Sequence, residues 1–224
     1  MPSATVENYL KQIYLEQHAP GADSARPVAM GRLAAAMNVV PGTATSMIKA
    51  LADANLVDYE PRNGARLTPN GQQLALHVLR RHRLVELFLV KTLGLDWSEV
   101  HAEAEELEHA ISDKVLDRID ALLGHPDADP HGDPIPTRGG TVARPRHVSL
   151  ADAEPGARYR VARVADQDVA FLQFVDRCRL TPGTTVTVES IDPAADAVHV
   201  KPRAGERVTL GTAAAAKIFV ERVA

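Results

Sequence analysis

The chain has 224 residues, 45% of them hydrophobic and 24% charged, with a single cysteine, Cys178, and a net charge of −4. That length suffices for two domains with cores of their own, and one cysteine excludes an intrachain disulfide and a Cys-rich zinc site. No apolar run approaches the ~18 residues that span a bilayer, and Met1 to Ala22 lacks a basic region followed by an apolar one, so a cytoplasmic protein with no membrane partner is expected.

The net charge conceals a segregation. Residues 1–95 carry ten Lys and Arg against seven Asp and Glu, residues 96–135 two against twelve, and residues 136–224 thirteen against ten. An acidic centre suits cations and repels DNA, whereas the mildly basic first third meets phosphate only where its positive groups cluster.

In chain order, Thr5 to Gln17 repeats at helical spacing, with Val6, Tyr9, Leu10, Ile13 and Tyr14 on one face, and Pro20-Gly21 ends the helix. Val28 to Met37 is a short helical pattern closed by Asn38. Gly42 and Thr43 open a second, from Thr43 to Asn55, with Met47, Ile48 and Leu51 inward. Two short helices joined by a tight turn, the second rich in Thr and Ser, fit a helix-turn-helix; a purely structural helical hairpin fits the same pattern. The next stretch, LVDYEPRNGARLTPNG, reads as a strand from Leu56 to Tyr59, an Asn63-Gly64 turn and a returning strand from Ala65 to Thr68. Arg62 and Arg66 flank that turn. A basic hairpin after a helix-turn-helix is a wing able to touch the DNA backbone. The candidate DNA contacts are therefore Thr43, Thr45, Ser46 and Lys49 on the second helix and Arg62 and Arg66 on the wing.

Thr68-Pro69 starts a long helix through Val90 that contains Arg80, Arg81 and Arg83. Trp97 begins another, carrying the acidic cluster, and Asp113 to Leu122 forms a third. GHPDADPHGDPIP, from Gly124 to Pro136, is a proline-rich linker or arm. Arg144 to Ala151 is ambiguous. Beyond Pro155 five short alternating runs follow: Arg158 to Val164, Thr185 to Ile191, Ala197 to Val200, Arg207 to Leu210 and Ile218 to Val223. They predict a small β-barrel, with room for a short helix at Val169 to Val175.

The segment VHAEAEELEHAIS raises the chemical question. At 100° per residue His101, Glu105 and Glu108 share a helix face, with His109 beside them, while Glu103 and Glu106 point elsewhere. His82 and Glu86, four apart on the preceding helix, offer the same donor types. Packed together, the two helices supply two His and two or three carboxylates, a mixed N/O set suited to Mn2+, Fe2+, Co2+, Ni2+ or Zn2+. Three alternatives stay open. The glutamates are a solvated helix face; the helices belong to a metal-binding or scaffolding protein that does not touch DNA; or the Glu106-x-x-His109 spacing belongs to a carboxylate-bridged metal enzyme, although that needs a second copy of the motif and only one is present. Burial of Thr43, Thr45 and Ser46 would favour the scaffold, and an open coordination position facing a substrate-sized cleft the enzyme. No HExxH, phosphate loop or G-x-S-x-G elbow is found.

Taken together, ENYLKQIY, RLAAAMNVVPGTATSMIKAL, GARLTPNG, RHRLVELFL, VHAEAEELEHAISDKVLDRI and HGDPIP resemble the diphtheria toxin repressor family, the iron-dependent and manganese transport regulators of bacteria. The resemblance covers nearly the whole chain. It implies a metal-dependent transcriptional repressor, not an enzyme, that binds palindromic operators of metal-homeostasis genes on double-stranded DNA as a homodimer and has no small-molecule substrate. The implied fold is a mainly α winged helix-turn-helix (residues 1–70), metal-binding and dimerisation helices (71–123), a proline-rich arm and linker (124–150) and a C-terminal SH3-like β-barrel (151–224). Carried over by residue, one metal position comprises His82, Glu86 and His101. The other comprises Glu105, Glu108 and His109 with Asn8 from the N-terminal helix. Gln167 or Asp168 is the side chain the barrel would lend to the first.

The sequence departs from both branches of the family. The iron-dependent branch has Cys where Glu105 stands and Met where Asn8 stands; the manganese branch has Glu and usually Asp there, with a further Glu matching Lys11, whose ammonium does not ligate. Without sulfur the preference moves to harder ions, Mn2+ or Fe2+, for which Co2+, Ni2+, Zn2+ or Cd2+ can substitute in vitro. Val115, Leu116, Ile119, Leu122 and Leu123 offer more apolar surface than one short helix needs internally, and part of it is assigned to the two-fold interface.

Overall fold

The computed structural model describes residues 3–19, 21, 23–143 and 145–223. Pro20, expected to end the first helix, and Arg144, where the ambiguous stretch begins, lie outside the described residues. The chain forms two compact units, Met1–Arg81 with Pro136–Thr141, and His82–Ile135 with Val142–Ala224.

In the first unit α1 (Ala4–Gln17) is capped by Ser3, whose hydroxyl accepts from the Val6 N–H. The helix buries Tyr9, Leu10, Ile13 and Tyr14, as the spacing predicts. The turn pair is α2 (Met30–Ala36) and α3 (Pro41–Asp53). The first helix of the pair starts later than expected because Val28 is taken up as a β-bridge partner of Ala65. The second starts earlier, with Pro41 in the first turn, where a missing N–H costs nothing. Ala44, Ile48 and Leu51 face inward.

The hairpin of β1 (Val57–Glu60) and β2 (Gly64–Leu67) pairs Val57 with Leu67 and Glu60 with Gly64. Its turn is therefore Pro61 to Asn63 rather than Asn63-Gly64, and Gly64 belongs to the returning strand. Gly64 sits at φ +126°, and a Cβ there would lie 2.3 Å from the Val28 carbonyl oxygen, so only glycine lets the Val28 segment join the wing.

The long helix α4 (Pro69–Leu93) contributes its first half to this unit and its second half to the next. Its arginines are engaged. In the first unit Arg80 donates to the Pro136 carbonyl at 2.8 Å, and Arg81 lies 3.6 Å from Glu7, both side chains buried.

In the second unit α4 is followed by α5 (Val100–Leu107) and α6 (Asp113–Leu122). The acidic helix starts at Val100, not at Trp97. The Asp96 carboxylate accepts from both the N–H and the hydroxyl of Ser98, at 2.8 and 2.6 Å, and this local turn competes with a helical start. Trp97 packs instead against the core of the C-terminal sheet. Leu116 and Ile119 also depart from expectation. They are buried against Leu84, Leu87 and Ile135, with Leu123 partly buried on the same cluster, while Val115 and Leu122 are exposed.

The remainder comprises β3 (Val148–Ser149), β4 (Arg158–Val164), α7 (Val169–Arg177), β5 (Thr185–Asp192), β6 (Ala197–Pro202), β7 (Val208–Gly211), α8 (Thr212–Ala215) and β8 (Ile218–Arg222). The strands form one antiparallel sheet in the order β3-β8-β4-β5-β6-β7, six strands where five were expected. The two-residue β3 comes from the ambiguous stretch. Irregularities at Val161/Arg163 and Val188/Ser190 bend the sheet around a core of valines, Leu172 and Ile218.

The arm residues of this unit are tied to both sides. Arg83 donates to the Pro134 carbonyl at 2.6 Å and lies 3.5 Å from Asp129 and from Asp133. Arg163 on β4 lies 2.7 Å from Asp133, and the Val164 N–H donates to the His131 carbonyl at 2.9 Å. Gly132, at φ +85°, lets the strand come this close: a Cβ would stand 2.0 Å from the Ala162 oxygen.

Candidate metal centre and DNA-reading face

His82 lies at the middle of the donor cluster. Its ring is buried, with Nε2 3.0 Å from Glu86 Oε1 and 3.0 Å from His101 Nδ1, while Nδ1 is 2.6 Å from Glu108 Oε2 and 3.6 Å from Glu105 Oε1. His101 Nδ1 is also 3.2 Å from Glu86 Oε1, and its Nε2 3.6 Å from Glu105 Oε1. Helical spacing accounts for this. His82 and Glu86 are one turn apart on α4, His101 and Glu105 one turn apart on α5, and Glu108 caps the C-terminus of α5. His82, Glu86 and His101 form one group of converging donors and His82, Glu105 and Glu108 another, so the two expected ligand sets meet at a single imidazole.

His109 joins the cluster through Glu108, its Nε2 3.3 Å from Glu108 Oε1. Asn8 is half-buried on α1, in the first unit. Gln167 and Asp168 are exposed, and the Asp168 carboxylate caps α7 by accepting from the Phe171 N–H at 2.9 Å. Asp168 belongs to none of the groups of converging His, Cys, Asp and Glu donors found among the described residues. Glu103 and Glu106 are exposed, as their helical positions predict.

A third group was not anticipated: Glu86 with Asp129 and His131, all buried. From sequence alone this stretch reads as a proline-rich linker or arm. The available signal was the alternation of Asp127, Asp129, His131 and Asp133, which in extended backbone puts every second side chain on one side. Asp129 Oδ1 accepts from the N–H groups of His131 and Asp133, at 2.8 and 2.9 Å, which shapes the loop.

His131 supplies the test of whether these residues fit a cation. Its Nε2 lies 2.8 Å from the Trp97 carbonyl, an acceptor only, so Nε2 carries the proton. In the neutral ring Nδ1 is then a bare lone pair, buried without a hydrogen-bond partner among the described residues and 3.9 Å from Glu86 Oε2. A lone pair facing a carboxylate is unfavourable without a cation or proton between them. A carbonyl that fixes the opposite ring nitrogen is also the usual support of a metal-ligating histidine. The nitrogen and oxygen donors, with no sulfur, fit a divalent ion of the Mn2+ to Zn2+ series.

The carboxyls differ in their electrostatics. Burial pushes Glu86 up, but hydrogen bonds from His101 and His82 outweigh it and hold the group well below the usual carboxylate range. Burial pushes Asp129 well above its ordinary value, with the charges of Asp133 and Glu86 adding to the rise and Arg83 opposing it.

In the first unit Thr43, Ser46 and Lys49 are exposed on α3, opposite the buried Ala44, Ile48 and Leu51, and Thr45 is half-buried. The Thr45 hydroxyl donates to the Pro41 carbonyl at 2.8 Å and the Ser46 hydroxyl to the Gly42 carbonyl at 3.0 Å. Both hydroxyl protons are thus committed to the helix, leaving acceptor lone pairs and, for Thr45, a methyl group. Val40, at the N-cap, is 67% exposed. Arg62 stands on the hairpin turn at φ +70°, and Arg66 lies 3.4 Å from Asp58 across the hairpin.

A helix-turn-helix with a wing, a buried His/carboxylate cluster on the helices that follow, and an SH3-like sheet define a metal-responsive transcriptional regulator. Comparison with known proteins agrees. Residues 1–65 match the iron-dependent repressor N-terminal DNA-binding domain, 68–137 the iron-dependent repressor metal-binding and dimerisation domain, and 148–222 the FeoA domain. The iron-dependent repressor IdeR of Mycobacterium leprae is 30% identical over 233 residues, spanning 98% of this chain and 97% of its own. Among solved structures, a manganese-dependent transcriptional repressor in complex with manganese superposes with a TM-score of 0.89 at 38% identity, covering 97% of this chain and 100% of that one. ScaR with bound Cd2+ gives 0.80 at 32% identity, covering 99% and 100%. The chain belongs to the diphtheria toxin repressor family of metal-dependent transcriptional repressors.

Proposed function

We propose that this repressor acts in the cytoplasm as a homodimer, binding palindromic operators of metal-homeostasis genes when loaded with Mn2+ or Fe2+. It performs no catalysis and takes no small-molecule substrate. The observation that carries this reading is the buried His82 ring with carboxylates at both nitrogens, on the helix that begins directly after the wing. His82, Glu86 and His101 hold one position, extended by Asp129 and His131. Glu105, Glu108 and His109 hold the sensing position, which Asn8 or water completes. When bound, the ion supplies positive charge to a segment of net −10 and cross-links donors from α4, α5 and the arm. A state that binds the ion better and also presents α3 to DNA is populated at the expense of the others. Residues 1–70 read DNA, 71–123 hold metal and dimerise, 124–150 form the arm, and 151–224 the SH3-like domain.

Exposure of Thr43 and Ser46 supports this reading over a scaffold that does not touch DNA. With their hydroxyl protons committed, Thr45 and Ser46 serve as acceptors, Lys49 meets phosphate, and Arg62 and Arg66 lie along the backbone beside the groove. The test is an operator-binding titration with each divalent ion at controlled free concentration. Tight binding should require the ion; equal affinity in chelator and in saturating Mn2+ defeats the proposal.

A further inference from the structure

The outward face of the C-terminal sheet carries a feature that metal sensing does not use. Arg158 on β4 is paired with Thr187 on β5, which is paired in turn with Lys201 on β6. One step along, Arg160 is paired with Thr185, and the Arg203 N–H donates to the Thr185 carbonyl at 2.8 Å. Two cross-strand rows thus place threonines between basic side chains on one face, with Val186 of the strand between them turned into the core. Arg158, Thr185, Thr187, Lys201 and Arg203 line one cleft of about 470 Å3. None of the metal-type donors lines it.

The charge balance there is uneven. Glu221 pairs with Arg160 at 2.6 Å, Glu154 with Arg222 at 2.8 Å and Glu189 with Arg207 at 2.9 Å. These three carboxylates are thereby engaged by arginines other than those of the cleft. Arg158, Lys201 and Arg203 are exposed and form no ion pair among the described residues. Gathering cations without a counter-charge disfavours folding, so the arrangement is better suited to a ligand than to the sheet.

We propose that this cleft binds a phosphate-bearing anion of two or more charges. Guanidinium groups match phosphate oxygens bidentately, the lysine adds a point charge, and the threonine hydroxyls donate between them. The cleft falls within the roughly 300–1,000 Å3 typical of small-ligand sites. The same chemistry has two sources, a free phosphorylated solute or the backbone phosphates of DNA.

The probe is pyrophosphate, titrated calorimetrically into the full-length chain kept free of divalent ions so that chelation contributes nothing. The wild type should bind it. The double variant Lys201→Ala, Arg203→Ala should bind roughly tenfold or more weakly, the loss of at least one charge-assisted contact. Arg207→Ala, outside the cleft, should match the wild type. Equal thermal unfolding of the variants excludes a folding defect. In a second arm, the salt dependence of non-specific DNA binding separates the sources. A slope lower by about two per bound protomer in the double variant assigns the cleft to DNA phosphates, and an unchanged slope to a free solute. Undiminished pyrophosphate binding by the double variant, or none by the wild type, overturns the proposal.

Discussion

Glu105 and Glu103 are two residues apart on α5 and face different surroundings. Glu105 is half-buried, 3.6 Å from both His82 and His101, whereas Glu103 is exposed. Glu105→Ala should raise the Mn2+ midpoint for DNA binding by about tenfold, the loss of one carboxylate donor, while Glu103→Ala leaves it unchanged. Equal midpoints with full repression in both variants would defeat the sensing role of Glu105. Asp129 yields a pH prediction. Its raised carboxyl holds a proton in the folded, ion-free chain at pH values where the unfolded chain has released it. The folded state then binds more protons, so this residue's contribution to stability falls as pH rises through and above the ordinary carboxylate range. Thermal unfolding in chelator should show Asp129→Asn gaining on the wild type as pH rises through that window, and a constant difference would refute it. The helix-borne donors were legible because a four-residue spacing needs only helical periodicity. Asp129 and His131 were not, because their convergence on Glu86 depends on Gly132 and on backbone pairing with β4, a contact distant in sequence.

At the scale of elements, α6 was expected from Asp113 to Leu122 and is found there, since Ser112 is a cap and Leu116 and Ile119 are at helical spacing. The starts of α3 and α5 were less legible. Pro41 initiates the one, and the Asp96–Ser98 turn delays the other. The wing was anticipated as a hairpin, but the third segment at Val28 was not, because an isolated bridge leaves no periodic trace. The wing arginines differ in their freedom. Arg66 shares its charge with Asp58, whereas Arg62 extends from the turn. Arg62→Asn, which tolerates the left-handed backbone, should weaken specific and non-specific DNA binding alike and lower the salt slope by about one per bound protomer. Arg66→Ala should act in the same direction with smaller effect. Altered sequence preference with intact non-specific affinity would contradict the assignment of either to the phosphate backbone.

At the scale of the whole molecule, the apolar face of α6 is divided. Leu116 and Ile119 fill the protomer's own core, while Val115 and Leu122 are 49% and 67% exposed. Burial of Leu122 in the proposed two-fold interface would contribute about 2 kcal/mol, counted twice by symmetry. Leu122→Lys should therefore weaken dimerisation by roughly three orders of magnitude. Sedimentation velocity should find a dimer for the wild type at micromolar concentration with metal; a stable monomer there would reject the interface. The shared ring of His82 couples the filling of the two ion positions. One nitrogen faces Glu86 and His101, the other Glu108 and Glu105. A neutral imidazole offers a single lone pair, so two ions cannot both claim this ring at full strength. Filling one position changes the donor set left for the other. An ion-binding isotherm should then depart from two independent sites, and His82→Ala should remove the departure along with affinity on both sides.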